Sequence, residues 1–148
     1  EKKLLAYLSH NARTSIVDLA EDTHLPLHVA RYHLKQLLQK GIIEGFKPKI
    51  NVHKLGYQWH LLLLQLQRTT EARKKEFIEF CKSHKKIYYV TNTIGMYNIM
   101  LDIHVETTIE FKEVLLELKE KFSDIIKIYE SIIIFDEYKI DYFPSETL

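Results

Sequence analysis

Residues 15–46 restrict what this chain can fold into more than any other stretch. Ser15 stands ahead of Ile-Val-Asp-Leu-Ala, with Asp18 three positions on, which is a strong helix start close to a capping box. Ile16, Leu19 and Ala20 then share one helical face. A tight connection follows, and a second helix is predicted to begin near Pro26, a residue tolerated in a first helical turn, and to stop at Gly41. Ahead of both, Leu4, Leu5 and Leu8 carry helical spacing over residues 2–9. A short capped helix joined tightly to a longer one is the layout of a helix-turn-helix, whose second helix enters the major groove of DNA.

A helical wheel drawn from Ala30 places Leu27, Ala30, Leu34, Leu37 and Leu38 within an arc of about 100°, predicting one buried stripe. His28, Arg31, Tyr32, Lys35 and Gln39 fall opposite. Imidazole, guanidinium, phenol and ammonium groups hydrogen-bond base edges and phosphates, so His28, Arg31, Tyr32 and Lys35 are the candidate DNA contacts. Gly41-Ile-Ile-Glu-Gly-Phe-Lys-Pro-Lys-Ile50 reads as an extended segment through its branched residues, and Pro48 assigns it to an edge. Lys47 and Lys49 on it are further candidates for phosphate contact.

Charge is divided to match. Residues 1–56 hold nine Lys/Arg against five Asp/Glu, a net of +4, while residues 57–148 hold twelve against fifteen, a net of −3. A basic head on an acidic body suits one module that meets phosphates and one that does not. The expected organisation is a helix-turn-helix domain over 1–50, a linker over 51–56 and a second domain over 57–148.

The second domain alternates strand and helix. Strands are expected over Tyr57–Gln67, Ile87–Ile94, Tyr97–Val105 and Ile125–Tyr138, with a turn at Gly95-Met96. One helix opens at Thr70 or Glu71. The other opens at the Thr107-Thr-Ile-Glu110 capping box and aligns Phe111, Val114, Leu115, Leu118 and Phe122. The order βαββαβ is that of a ferredoxin-like unit, two helices on one face of a four-stranded antiparallel sheet. In the first strand Tyr57, Trp59, Leu61 and Leu63 alternate with Leu62, Leu64 and Leu66, so both faces are apolar. Two helices cover only one of them, and an antiparallel sheet with one wet face should alternate cleanly. A second copy of the sheet is the simplest cover, implying an obligate dimer that buries on the order of 2,000 Å² or more. The alternatives are cover by the tail at Tyr142-Phe-Pro144 or by the head.

The ordered set of Asn11-Ala-Arg-Thr-Ser15, Asp18-Leu-Ala20, Arg31, Leu34, Gly41-Ile-Ile-Glu-Gly-Phe46, Leu55-Gly56 and Thr93-Ile-Gly-Met-Tyr-Asn98 resembles the Lrp/AsnC family of feast/famine regulators along nearly the whole chain. The resemblance implies a sequence-specific transcription regulator, dimeric and in the family often assembled into octamers. It also implies an amino acid or related metabolite bound between body domains, with Gly95, Met96, Tyr97 and Asn98 at that effector site. The chain departs from the family pattern twice. Asn98 stands where Asp is usual, and an amide is a weaker partner than a carboxylate for a ligand ammonium. Pro26 stands where Ser usually caps the recognition helix.

Other chemistries find less support. Metal ligation is not expected: the chain has one Cys, and His24 and His28 flank Pro26, so its eight His form no compact cluster. Cys81 lies on an apolar helical face, where a thiol is inert. With four scattered Gly no phosphate-cradling loop is present, and no cofactor is expected. A single Cys argues for a reducing, cytoplasmic setting without disulfides. No secretion signal is expected, and apolar runs such as Leu61–Leu64 and Ile132–Phe135 are far short of the roughly 20 residues a membrane span needs. The one enzyme alternative is a sirohaem-decarboxylase-like protein on the same scaffold, or a metabolite-binding module that does not bind DNA. The Gly95 turn lacks the His or Arg that haem carboxylates would require, so the expectation is a protein that is not an enzyme.

Overall fold

A computed structural model describes residues 1–144. Its elements are α1 (Lys2–His10), α2 (Ile16–Asp22), α3 (Leu27–Gln39), a 3-10 turn (His53–Leu55), β1 (Gln58–Leu66), α4 (Glu71–Ser83), β2 (Ile87–Asn92), β3 (Ile99–Val105), α5 (Thr108–Phe122) and β4 (Ile126–Ile134). The chain divides into two compact units, one made of Glu1–Lys49 with the segment from Tyr138 onward, the other of Ile50–Glu137. The sequence alone assigns the segment from Tyr138 to the second domain. Its separation follows from β4 ending early: Ile134 pairs with Trp59, near the start of β1, so the following residues have no ladder partner on β1. Residues 145–148 of that reading lie outside the described residues.

In the first unit the core consists of Leu4, Leu8, Leu19, Ala20, Ala30 and Leu37, with Leu34 packed against them. Ser15 caps α2 by accepting from the Asp18 N–H at 3.1 Å, and its own hydroxyl donates to the Asp18 carboxylate at 2.8 Å. Leu27 and Leu38, predicted in the buried stripe of α3, are 41% and 42% exposed. They sit at the two ends of a helix whose buried contacts, Ala30 and Leu37, lie nearer its middle. Pro26 is the N-cap of α3 rather than its first helical residue, and it provides no side-chain cap.

In the second unit the antiparallel sheet runs β2-β3-β1-β4. Leu62, Leu64 and Leu66 of β1 and Ile99, Leu101, Ile103 and Val105 of β3 pack against Phe77 and Cys81 of α4 and Phe111, Val114, Leu118 and Phe122 of α5. Burial pushes the Cys81 thiol up to about 12, which keeps it a thiol rather than a thiolate. The opposite face carries Trp59, Leu61 and Leu63 in register with Ile134, Ile132 and Glu130 of β4, and none of these is buried. No helix among the described residues is long and apolar enough to cross a membrane.

Candidate nucleic-acid interface and the Gly95 turn

The connection between α2 and α3 sets the direction of the second helix. Thr23 ends α2 with its hydroxyl bonded to the Leu19 carbonyl at 2.6 Å. His24 takes the left-handed conformation with φ of 58°, and the Leu25 N–H returns to the Ala20 carbonyl at 2.9 Å. The chain therefore reverses within three residues, and Ala30 and Leu37 fasten α3 by its inner face. At the far end Gly41 adopts φ of 67°, and the Ile42 N–H reaches back to the Leu37 carbonyl at 3.0 Å.

His28, Arg31, Tyr32 and Lys35 are all exposed on α3. Separations of three and four residues put them on one face, and Tyr32 is 61% exposed with its ring edge-on to His33 at 5.5 Å. Pro26 offers no side-chain cap to the first N–H groups of this helix. Lys47 and Lys49 are exposed too, but their segment differs from expectation. Residues 44–50 form neither helix nor strand, because no neighbouring strand among the described residues provides a ladder for the edge that Pro48 foreshadowed. The structure thus gathers four of the six predicted DNA-contacting residues on one rigid helix and leaves the two lysines on an irregular stretch.

The second candidate site is the connection between β2 and β3. Gly95 has φ of 151°, which favours glycine, and Met96 beside it is 63% exposed. Tyr97 donates its phenolic hydrogen to Glu130 of β4 at 2.6 Å, a bond that pushes the phenol's pKa up. Asn98 is occupied on both sides. Its Oδ1 accepts from the Leu66 N–H at 2.8 Å and its Nδ2 donates to the Leu66 carbonyl at 2.9 Å, while its own N–H donates to Leu64 at 2.9 Å. The Asn98 side chain therefore imitates a strand residue and holds the turn to the end of β1. An aspartate would accept but not donate, which gives the departure at this position a structural reason. Glu130 escapes sequence reasoning because it lies 33 residues from Tyr97 and is brought there only by the β1–β4 register, Leu63 opposite Glu130.

Comparison with known proteins agrees with both units. Residues 1–44 match the family model described as winged helix-turn-helix DNA-binding. Over 137 residues the chain is 27% identical to the HTH-type transcriptional regulator LrpA of Pyrococcus abyssi, covering 90% of this chain and 94% of that one. Two solved structures share the fold. A transcriptional regulator from Neisseria meningitidis, determined as a complex with L-Met, superposes with a TM-score of 0.83 at 17% identity over 98% of this chain and 94% of its own. AsnC of E. coli superposes with a TM-score of 0.76 at 20% identity over 96% and 94%. LrpA and the Neisseria protein are named as regulators, and the reading of this chain as a protein that is not an enzyme stands with them. A helix-turn-helix early in the chain and a βαββαβ sheet after it stand in the same order as in these structures, and the chain is similar to Lrp/AsnC regulators in sequence and shares their fold.

Proposed function

We propose that this protein is a cytoplasmic, sequence-specific DNA-binding transcription regulator that acts as a dimer or larger assembly and answers to an amino acid or related metabolite. The observation that carries the reading is the outer face of α3, where His28, Arg31, Tyr32 and Lys35 stand exposed together on a helix held by its opposite side. Arg31 and Lys35 serve base edges and phosphates, and Lys47 and Lys49 add charge near the backbone. Self-pairing rests on the sheet face of Leu61, Leu63, Met100, Ile128, Ile132 and Ile134, none of them buried by the protein's own helices. Two heads related by a two-fold axis then read half-sites spaced by whole turns of DNA.

The effector reading rests on the turn of Gly95, Met96, Tyr97 and Asn98. The Neisseria neighbour, solved with L-Met, supports an amino acid as ligand class. In this chain Gly95 and Met96 offer exposed backbone to a ligand, and Asn98 shapes the turn rather than reaching into the site.

Gel mobility with genomic fragments at two salt concentrations tests the regulator. Specific shifts that weaken steeply with salt are expected, since neutralised phosphates release counterions. Absence of any fragment bound in preference to bulk DNA refutes it. Repeating the shifts with a panel of amino acids tests the effector, which requires at least one to change affinity or complex size.

A further inference from the structure

The open sheet face carries Glu130 on β4 among its apolar residues, and near the β3–β1 pair one cluster of side chains stands out. His104 of β3 lies opposite Trp59 of β1, ring edge to ring at 5.7 Å, and stacks on Tyr88 of β2 at 4.4 Å. Its Nε2 is buried and makes no hydrogen bond. Asp102, on the same face of β3, accepts from the Trp59 indole N–H at 2.8 Å. We propose that pairing of two copies through this face is switched by protonation of His104, the copies holding together while the imidazole is neutral and parting when it is charged.

This inference rests on the self-pairing reading above and adds its regulation. A neutral imidazole between Trp59 and Tyr88 completes an aromatic surface that a second copy can cover. A protonated one places an N–H with no acceptor between two rings, and the ring must turn outward to find water, undoing the stack on Tyr88. The surrounding charges are few. Asp102 on β3 attracts the charged form and His53 of the 3-10 turn opposes it. Tyr88 and Tyr89 face the cluster from β2, Tyr89 opposite Asp102, while Glu137, beyond β4, acts on Asp102. Ile134, next to Trp59, brings no charge from β4. Burial holds the imidazole below its ordinary value, with Asp102 only partly offsetting it, so His104 is already disposed to be neutral near pH 7. Cover by a second copy removes more water and lowers it further. The pair therefore binds fewer protons than two separate chains. Association is complete above the pKa of His104 in the free chain and is lost as pH falls through it. Up to two protons enter per pair separated, so the dissociation constant rises by as much as about 100-fold per pH unit below that point.

Sedimentation velocity of the full chain at pH 7.5, 6.5 and 5.5, with far-ultraviolet circular dichroism at each pH, tests this. The expected result is a dimer at pH 7.5 whose dissociation constant climbs as pH falls, steepening toward the roughly 100-fold per pH unit limit, with unchanged helicity. His104→Phe, which keeps an aromatic ring between Trp59 and Tyr88, should remain dimeric throughout, and His104→Leu does the same if Phe disturbs packing. A wild-type dimer indifferent to pH overturns the switch alone. The same pH response in both variants, or dissociation that merely tracks lost helicity, also overturns it. Single chains at every pH overturn the switch together with the self-pairing reading.

Discussion

His60 shows what a single side chain can impose on this protein. It is 2% exposed, stacks in parallel on Phe111 at 4.0 Å, and has Nε2 3.2 Å from the Gln58 side-chain oxygen while Nδ1 has no partner. Burial alone lowers its pKa below the ordinary 6.5. The unfolded chain then binds the proton more readily than the folded one, so stability is fully present above about pH 6.5 and declines as pH falls through the folded value. The urea midpoint should drop between pH 7.5 and 5.5, and His60→Phe should drop less over the same interval, as followed by circular dichroism. Arg31 is the converse case, a side chain that matters only when something binds. Arg31→Ala should leave the melting temperature within a degree or two of wild type and cost about 1–3 kcal/mol of DNA affinity if it reads a guanine, measured by fluorescence anisotropy. Unchanged affinity and sequence preference would remove Arg31 from the interface.

The elements were legible in proportion to how local their causes are. Ser15 with Asp18 and Thr107 with Glu110 announce α2 and α5, and both caps form, the Glu110 N–H reaching Thr107 at 3.2 Å. Strand ends were not legible, because a strand lasts only while a neighbour pairs with it. β4 was expected to reach Tyr138 and stops at Ile134. β3 is expected from Tyr97 and starts at Ile99, and at Asn98 the side chain takes the bonds to the Leu66 backbone that a ladder residue would make. The stretch around Lys47 and Lys49 looked extended for its branched residues, yet no strand among the described residues pairs with it. At the Gly95 turn the motif residues were visible, but Glu130 and the backbone of Leu66, which fix them, were not. That dependence is testable. Asn98→Asp keeps size and shape but sets a carboxylate against the Leu66 carbonyl, so it should lower stability by about 1–3 kcal/mol in urea unfolding. If Asn98 instead served only a ligand, the unfolding midpoint would not move.

At the scale of the whole molecule the sheet poses an imbalance that its own helices do not resolve. Leu62 and Leu61 are neighbours in sequence and chemically alike, yet Leu62 is sealed beneath α4 and α5 while Leu61 stays half-buried beside Ile132, which is 40% exposed. A strand has a period of two, so adjacent residues sample two different environments, and a charge placed on each asks a different question. Leu62→Lys puts an unpaired ammonium into a closed core and should unfold the sheet domain, seen as lost circular dichroism. Ile132→Lys puts one on the open face and should leave the chain folded, with helicity close to wild type. If two copies cover that face, the same change should break the pair, halving the mass by sedimentation and weakening binding to a two-half-site operator far more than to a single half-site. Should Ile132→Lys leave the mass unchanged, the face is not where copies meet, and the apolar residues along β1 and β4 require another cover.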